Sequence, residues 1–200
     1  MKQVLSPLYA LLESPAGYNL IQQVNRPTTD RIRALFHENV RLADGGRVLD
    51  LGCGTGNYRP LFSADYVGID INPDYIRMCS EKLEGTFLVM DGANLTFEDD
   101  SFDNVVSIAT THHLTDEQLA AMLKEAVRVT KPGGFVNVID AVLPDSAAQL
   151  FKTIWFRMDR GEYPRKLAHL TGIAAGAGEI THSDLRRGPM HDVVYLRLSA

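Results

Sequence analysis

Several features that would place a protein outside the ordinary globular classes are scarce in this sequence. It has two cysteines in 200 residues, Cys53 and Cys79, too few for a disulfide framework and too far apart for a paired metal-binding motif. No apolar run approaches the ~20 residues that a membrane-spanning helix needs. The first residues contain a short apolar stretch broken by Pro7 and Glu13, unlike a secretory signal peptide. We therefore expect a cytoplasmic protein without a metal site.

Basic charge is scarce as well. Lysine and arginine number 20 against 25 aspartate and glutamate residues, which gives a formal net charge of -5. A domain dedicated to nucleic acid usually carries a basic patch, so the composition favours a partner other than nucleic acid. The length and a hydrophobic fraction of 45% fit one domain with a full core. We expect residues 1–45 to form a helical cap or lid and residues 46–200 to form the core.

The spacing of apolar residues predicts which segments are helices and which are strands. In residues 1–45 the spacing is helical, with interruptions predicted at 15–17 and 26–27 and a helix start at 28–30. The predicted strands are residues 47–51, 66–69, 87–90, 103–109, 135–139 and 193–198, and residues 160–190 have room for one more. The predicted helices are residues 73–83, a long helix that runs from 115 to the stop signal at 131–134, and residues 145–160. This alternation predicts an α/β fold, a doubly wound, mostly parallel and Rossmann-like sheet of seven strands with the last one antiparallel.

One segment, VLDLGCGTG at residues 48–56, combines an apolar strand with alternating glycines. Its glycine loop, residues 52–56, can adopt positive φ angles and lets a ligand approach the backbone closely. In a doubly wound fold this loop lies at the carboxyl edge of the sheet, where ligands bind. The spacing G-x-G-x-G is one residue tighter than the G-x-G-x-x-G of dinucleotide-binding loops, and Asp50 precedes it. Both features suit a ligand with a positive sulfonium and an amine but no phosphate; a dinucleotide and an unliganded turn are the alternatives.

This segment resembles motif I of the class I S-adenosylmethionine-dependent methyltransferases, and the resemblance extends from about residue 35 to residue 140. It implies that the cofactor is S-adenosyl-L-methionine and the product S-adenosyl-L-homocysteine. The loop residues Gly52, Cys53, Gly54 and Gly56 would hold the methionine part of the cofactor, and Asp50 would anchor that end, partly through water. We expect Cys53 to be a small packed side chain within this loop.

The resemblance also assigns residues at the ends of the next strands. Asp70 would accept both ribose hydroxyls, which suits a carboxylate because it can take two donors at once. Ile71 would pack on the adenine, and Asp91 would hold the adenine amino group with Gly92 beside it. Ala109, which ends the fourth predicted strand, is also assigned to the cofactor site.

Two adjacent histidines, His112 and His113, follow the fourth predicted strand at the ligand edge. A histidine there could deprotonate a hydroxyl or an amine as the methyl group arrives, because its ordinary pKa of ~6.5 suits that work. We therefore name both as candidate catalytic residues. In the alternative interpretation one histidine packs or caps the next helix and the other is exposed to solvent.

Aromatic residues in two segments are candidates for an acceptor pocket. Tyr9 and Tyr18 come from the N-terminal segment, which would act as the lid, and Trp155 comes from the predicted helix at 145–160. The alternative for Trp155 is a place in the hydrophobic core, which amphipathic helices usually serve.

Missing motifs narrow the acceptor that the resemblance implies. The chain has no Asn/Asp-Pro-Pro-aromatic sequence after the fourth predicted strand and no Pro-Cys nucleophile, which argues against methylation of adenine bases, glutamine side chains and cytosine carbon. We expect a small organic acceptor, methylated on oxygen, nitrogen or carbon. The alternatives are a catalytically silent cofactor-binding protein, a protein or RNA methyltransferase that needs a partner subunit, and an NAD(P)-dependent oxidoreductase.

Overall fold

The computed structural model describes residues 15–42, 45–63, 65–145 and 162–200, and for residues 15–25 it describes the backbone alone. The helices are α1 (Pro15–Asn39), α2 (Pro73–Lys82), α3 (Asp116–Val129) and α4 (Leu167–Ala175), with single 3₁₀ turns at Arg59–Leu61 and Thr111–His113. The strands are β1 (Arg47–Leu51), β2 (Asp65–Asp70), β3 (Thr86–Val89), β4 (Phe102–Ile108), β5 (Thr130–Val142), β6 (Ile180–Arg186) and β7 (Asp192–Ser199). Within these ranges no helix is both long and apolar enough to cross a bilayer.

The strands form one seven-stranded sheet in the order β3-β2-β1-β4-β5-β7-β6. Strands β1 to β5 are parallel, whereas β7 is antiparallel to both β5 and β6. This confirms the predicted doubly wound, mostly parallel sheet with an antiparallel last strand. The strand order reverses between β1 and β4, and in such sheets ligands bind at the carboxyl ends of the strands near this point.

Buried apolar side chains cover both faces of the sheet. On one face, α3 and α4 pack through residues such as Leu123 and Leu170. On the other face, α1 and α2 pack through residues such as Leu35 and Cys79. Because both faces are covered, the central strands form a rigid support for the loops at their carboxyl ends.

Helix α1 continues through Pro27, so the predicted break there and the predicted helix start at 28–30 are wrong. A proline inside a helix removes one backbone donor and costs about 3 kcal/mol. Packing offsets this cost, because the turns that follow bury Ile32 and Leu35 in the core. The other predicted interruption, at 15–17, coincides with the first turn of the helix, where proline is tolerated.

The connection from β1 to β2 is short, as the few residues between these strands predict. A single 3₁₀ turn, Arg59–Leu61, takes the place of a first crossover helix. Aromatic packing holds this connection: the ring centroids of Phe62 and Tyr66 are 5.0 Å apart, and the Arg59 guanidinium lies 4.6 Å from the centre of the Tyr66 ring. Tyr66 is thereby fixed close to β1, where its hydroxyl reaches Asp50.

Local signals set both ends of α3, as the sequence predicts. Thr115 and Gln118 form a capping box at its start. After the helix, residues 131–134 bulge out opposite Asp103, with Gly133 at a φ of 82°. Strand β5 is longer than the predicted 135–139, because β4 and β7 pair with it on both sides.

Candidate functional site

The glycine loop after β1 adopts a backbone that requires glycine. Gly52, Gly54 and Gly56 have φ values of 74°, 53° and 76°, in the left-handed region that residues with a Cβ disfavour. A Cβ on Gly52 would lie 2.5 Å from Cγ2 of Thr110, and a Cβ on Gly56 would collide with the Leu83 side chain. These two glycines therefore let the loop pack closely against its neighbours.

Gly54 differs from the other two because the space beside it is open. A Cβ placed on it would meet no atom within 4 Å. Its N–H donates to Oδ2 of Asp70 at 2.9 Å, which ties the loop to the end of β2. Cys53 is buried, and burial raises the pKa of its thiol, so this side chain packs as predicted and is a poor nucleophile. The loop offers a cradle of backbone atoms that a ligand can approach closely.

The carboxylate of Asp70, at the end of β2, is held in place by two backbone donors. Oδ1 accepts the N–H of Asn72 at 2.8 Å, and Oδ2 accepts the N–H of Gly54 at 2.9 Å. Each carboxylate oxygen can accept a further hydrogen bond, so the pair can receive two neighbouring ligand hydroxyls. Ile71 is 73% exposed, which leaves an apolar surface beside this carboxylate. An exposed apolar side chain at this position suits contact with a planar base.

Asp91 and Gly92 follow β3, which lies beside β2 in the sheet. The N–H of Ala93 donates to Oδ1 of Asp91 at 2.9 Å, so the side chain is fixed in a turn at the surface. A Cβ on Gly92 would lie 3.1 Å from Cγ of Met122, which shows how closely the backbone passes α3. The predicted cofactor residues after β1, β2 and β3 therefore lie at one edge of the sheet.

Asp50 is buried within β1, directly before the glycine loop. It is 3% exposed, and the Tyr66 hydroxyl donates to its Oδ2 at 2.7 Å. Burial raises the pKa of Asp50 to about 7, while the Tyr66 hydrogen bond opposes this rise and the charge of Asp70 adds to it. A positively charged ligand group beside this carboxyl would favour its ionised form.

We expect the affinity for S-adenosylhomocysteine, the product that the resemblance implies and whose amine is positively charged, to depend on the ionisation of Asp50. Below about pH 7 the affinity should fall by up to about tenfold for each pH unit, because binding must then release the Asp50 proton. Above that pH it should level off. Titration calorimetry in buffers of different ionisation enthalpy measures both the affinity and the released proton. The variant Asp50→Asn should release no proton from this site.

The stability of the unliganded protein should have the opposite pH dependence. The folded chain holds the Asp50 proton more tightly than the unfolded chain, because the pKa is about 7 in place of the ordinary 3.8. The contribution of this group to the free energy of unfolding therefore falls as the pH rises from about 4 to about 7. Denaturant unfolding across this range measures the fall, which Asp50→Asn should remove. Identical pH profiles for the two proteins in both experiments would contradict the raised pKa.

The end of β4 is tied to the glycine loop. Ala109 has a φ of 54°, which is rare for a residue with a side chain and is typical of strained functional loops. The hydroxyl of Thr110 lies 3.2 Å from the carbonyl oxygen of Leu51 and 3.3 Å from that of Gly52. The segment that carries the two histidines is therefore positioned against the predicted cofactor loop.

A carboxylate that the sequence analysis did not select lies under one of the two histidines. Asp140, on β5, is fully buried, and its Oδ1 lies 2.6 Å from Nδ1 of His112. Its Oδ2 accepts the N–H of Thr111 at 2.7 Å. Burial by itself would raise the pKa of Asp140, but the charge of His112 and these hydrogen bonds hold it below its ordinary value. The available signal was an acidic residue near the end of an otherwise apolar strand, NVIDAV.

The structure distinguishes the two histidines. The His112 side chain is 13% exposed and rests against Asp140. His113 is exposed, and its ring centroid lies 4.2 Å from that of His112. Of the two predicted catalytic candidates, His112 is the less exposed, and the buried carboxylate of Asp140 contacts its ring.

Arg165 holds the histidine segment through its guanidinium, a role that the sequence analysis did not predict. It is 5% exposed, and its guanidinium donates to the carbonyl oxygens of Thr111 at 2.8 Å and Leu114 at 2.6 Å. It also donates to the carboxylate of Asp116 at 2.7 Å, at the start of α3. A single buried side chain thus holds both ends of the turn that contains His112.

The N-terminal region also reaches the site. The side chain of Thr29, in α1, forms a hydrogen bond with the Tyr58 hydroxyl, and burial together with the nearby Asp140 charge raises the pKa of Tyr58 to about 12. The predicted acceptor residues Tyr9 and Trp155 lie outside the described residues, and so does the side chain of Tyr18. Within the described ranges no group of acidic, histidine and cysteine residues could hold a metal ion.

Residues 48–134, which include the loops after β1, β2, β3 and β4, match the family described as "Methyltransferase domain". A phthiotriol/phenolphthiotriol dimycocerosates methyltransferase of Mycobacterium ulcerans is 32% identical over 142 residues, 66% of this chain and 51% of that protein. A tRNA (carboxymethyluridine(34)-5-O)-methyltransferase of Arabidopsis thaliana is 42% identical over 99 residues, 48% of this chain and 24% of that protein. A 2-methyl-6-phytyl-1,4-hydroquinone methyltransferase of Synechocystis is 37% identical over 107 residues, 50% of this chain and 33% of that protein. The chain thus spans about half or less of the length of these relatives.

Solved structures share the fold at low sequence identity. A putative methyltransferase from Bacillus halodurans superposes with a TM-score of 0.70 at 15% identity, over 84% of this chain and 97% of that one. A methyltransferase from Methanosarcina mazei superposes with a TM-score of 0.68 at 19% identity, over 82% of this chain and 96% of that one. These likenesses show a shared fold.

Proposed function

We propose that this chain, whose residues 48–134 match the methyltransferase-domain family, is a class I S-adenosylmethionine-dependent methyltransferase that transfers the methyl group to a small organic acceptor. The observation that carries the proposal is the open cradle at Gly54 beside the fixed carboxylate of Asp70. A backbone cradle and a pair of carboxylate oxygens suit a ligand with an amino acid end and a ribose diol. S-adenosylhomocysteine would be the product.

The described residues fit this cofactor in type and placement. Asp70 would accept the ribose hydroxyls, and the exposed Ile71 would pack on the adenine with Asp91 at its amino group. The glycine loop would follow the methionine part, and Asp50 would stabilise the amine. The cofactor supplies a methyl group already activated by a positively charged sulfur. The task left to the chain is to hold the acceptor and this methyl group close and aligned.

Alignment is the main catalytic contribution that this site can make. Fixing two reactants in a productive orientation supplies up to about 7–11 kcal/mol of barrier reduction. The central strands give the loops around the site a rigid base, and Thr110 fixes the distance between the glycine loop and the histidine segment. Helix α1, which reaches Tyr58 through Thr29, would belong to the cap over residues 46–200 that excludes water.

The acceptor class rests on two observations. Two of the relatives named above have lipid-like or hydroquinone substrates in their names. The net charge of -5 disfavours a polyanionic partner, although the Arabidopsis relative carries tRNA in its name. Incubation of the protein with radiolabelled S-adenosylmethionine and separate pools of small metabolites, tRNA and protein tests this choice. Label confined to the tRNA or protein pool would overturn it, and label in no pool would favour a silent cofactor-binding protein.

Asp70→Ala should lower the affinity for S-adenosylhomocysteine by about tenfold or more. The change leaves two ribose hydroxyls without an acceptor in a partly buried site, at a cost of about 1–3 kcal/mol. It also frees the N–H of Gly54, which loosens the glycine loop. Titration calorimetry measures the effect. The control is Asp74→Ala. Asp74 is an exposed carboxylate in α2 that pairs with Arg77, one turn further along the same helix.

An unchanged affinity for Asp70→Ala would remove Asp70 from the cofactor site. A thermal-shift comparison completes the test, because a dinucleotide-dependent oxidoreductase would be stabilised more by NAD(H) or NADP(H) than by S-adenosylmethionine. Greater protection by a dinucleotide would overturn the proposed function.

A further inference from the structure

We propose that the cleft between α1 and the turn that joins β6 to β7 binds a carboxylate of the methyl acceptor, with Arg31 and Arg187 as its binding residues. This inference rests on the proposed function and deepens it, because it names the acceptor as a carboxylic acid with an apolar body. The carboxylate anchors the acceptor, and the methyl group goes to another atom of the same molecule.

The cleft has a volume of about 410 Å³ and is formed by one turn of α1 and the end of β6. Its lining residues are Arg31, Ala34, Leu185, Arg186 and Arg187. A second cavity of about 290 Å³ adjoins the cleft, since Leu185 and Arg187 line both. Apolar side chains from the end of β5 and the start of α4, such as Val142 and Leu167, line the second cavity. Together the two spaces can hold a small molecule with an apolar body.

The strand register places the cleft at the same edge of the sheet as the predicted cofactor residues. Val193, near the start of β7, pairs with Ala141 on one side and with Arg186 on the other. Arg186 and Arg187 therefore lie level with the carboxyl end of β5, in the strand order β4-β5-β7-β6. Neighbouring strands are ~4.8 Å apart, so the cleft lies about 10 Å from the end of β5 and about 15 Å from the end of β4.

This separation assigns the role of the carboxylate. Methyl transfer requires the reacting atoms to lie ~3–3.5 Å apart, so a group bound in the cleft cannot itself receive the methyl group. The second cavity lies beside the end of β5, between the cleft and the end of β4. An acceptor held by its carboxylate can therefore extend its apolar body through this cavity toward the predicted cofactor site.

Contacts between α1 and the β6–β7 turn, residues 187–191, hold the cleft in shape. The Arg31 guanidinium lies so close to Gly188 that a Cβ added to this glycine would collide with it. Nη1 of Arg31 also donates to the carbonyl oxygen of Pro27 at 2.9 Å. In the buried part of the same junction, Oγ1 of Thr28 and Nδ1 of His191 are 3.2 Å apart. The Arg31 guanidinium is therefore placed against the turn before any ligand binds.

The three arginines of the cleft differ in their partners. Arg186 is neutralised, because its Nη2 donates to Glu38 at 2.6 Å and to Asp184 at 2.7 Å. Arg187 forms no ion pair with any residue that the structure describes, and the same holds for Arg31. Two guanidinium groups without a carboxylate partner thus remain beside one cleft. Each has a planar set of donors that matches the two oxygens of a carboxylate.

Nearby acidic residues favour an anion with a single charge. Asp145 and Asp192 line the adjoining cavity, and Asp192 accepts the N–H of Gly188 at 3.1 Å. Their negative charges oppose those of Arg31 and Arg187, which leaves little excess positive charge for a phosphate dianion. A carboxylate carries one charge and is therefore the better match.

The first experiment measures binding to the full chain saturated with S-adenosylhomocysteine. The probes are octanoate, octan-1-ol and octyl phosphate, and nitrogen-15 NMR titration gives the dissociation constant of each. Octanoate should bind about tenfold more tightly than octan-1-ol and no more weakly than octyl phosphate. Arg187→Gln and Arg31→Gln should each weaken octanoate by about tenfold, the usual effect of losing a charge-assisted hydrogen bond, without changing the affinity for octan-1-ol.

Arg77→Gln is the control, because it removes the same charge from an exposed arginine on α2. Its affinity for octanoate should stay within about twofold of the wild type. Arg187 is exposed and makes no ion pair with the described residues, so Arg187→Gln keeps the test valid if Arg31→Gln fails to fold. Equal affinities for octanoate and octan-1-ol, or an unchanged affinity of Arg187→Gln for octanoate, would overturn the inference. Tighter binding of octyl phosphate would overturn the choice of a carboxylate.

The second experiment identifies the acceptor class. Small metabolites are separated by anion exchange into neutral, carboxylic and phosphorylated fractions, and each is incubated with the protein and radiolabelled S-adenosylmethionine. The label should enter the carboxylic fraction, and the product should still bind the anion exchanger. Label in another fraction, or label released as methanol by mild alkali from a methyl ester, would overturn this inference alone. Label in no fraction, or a chain that does not bind S-adenosylhomocysteine, would overturn the proposed function itself.

Discussion

Gly54→Ala is expected to lower the affinity for S-adenosylhomocysteine by about ten- to a hundredfold while the chain still folds. The added methyl group meets no protein atom within 4 Å, so it occupies the open space that the cofactor would need. Overfilling a close-packed site by one methyl costs about 1–3 kcal/mol, which corresponds to this loss of affinity. Titration calorimetry measures the affinity, and denaturant unfolding measures the stability of the same sample.

Gly133→Ala is the matched control. Gly133 also has a positive φ, 82°, and also meets no atom within 4 Å when a Cβ is added. It lies in the bulge near the start of β5, at the amino end of the sheet and opposite the site. Both variants carry the same left-handed strain of about 1–2 kcal/mol, so their stabilities should be similar while their affinities differ. Equal affinities would show that the space beside Gly54 is not the cofactor cradle.

The sequence was sufficient to predict the place of the glycine loop but not the role of each glycine in it. The strand, the tight spacing and the leading Asp50 predicted a ligand loop at the sheet edge, because an apolar run before alternating glycines is informative by itself. The sequence could not distinguish the roles of the three glycines. Gly52 and Gly56 accommodate Thr110 and Leu83, residues more than twenty positions away, whereas the space beside Gly54 is open.

The positions of Asp70 and Asp91 were predictable for a related reason. Parallel strands share one carboxyl edge, so an acidic residue directly after each of two successive strands must lie near the glycine loop. The sheet itself followed from the alternation of strands and helices. Helix α1 was mispredicted at Pro27, because a local rule about proline was outweighed by long-range burial of Ile32 and Leu35.

Residues that act through distant contacts were not predictable. Asp140 acquires its importance from His112, which is 28 positions away, and Arg165 acquires its own from Thr111, 54 positions away. Neither pair has a fixed spacing that a motif could encode. Arg165 belongs to a segment without apolar periodicity, and nothing in its sequence context distinguishes it from an arginine on the surface.

Arg165→Met should destabilise the protein by about 2–6 kcal/mol, the largest stability change that we expect. Methionine fills a similar volume but cannot donate, so the carbonyl oxygens of Thr111 and Leu114 lose a buried donor at about 1–3 kcal/mol each. Asp116 also loses its partner, although this carboxylate is half-exposed and can be hydrated. Urea unfolding followed by circular dichroism measures the change.

Two further variants locate the origin of this loss. Arg165→Lys keeps the charge but not the planar guanidinium that reaches several acceptors. The free energy of unfolding of this variant should therefore lie between the values of Arg165→Met and the wild type. Arg77→Met removes an arginine with an exposed ion pair to Asp74 and should cost less than about 1 kcal/mol. Suppose that Arg165→Met lowers the free energy of unfolding by as little as Arg77→Met. Water would then be replacing the guanidinium as the donor to the two carbonyl oxygens, and the hydrogen bonds of Asp140 would hold the turn that contains His112. A loss of the expected size would instead show that the buried guanidinium of Arg165 stabilises the turn that contains His112.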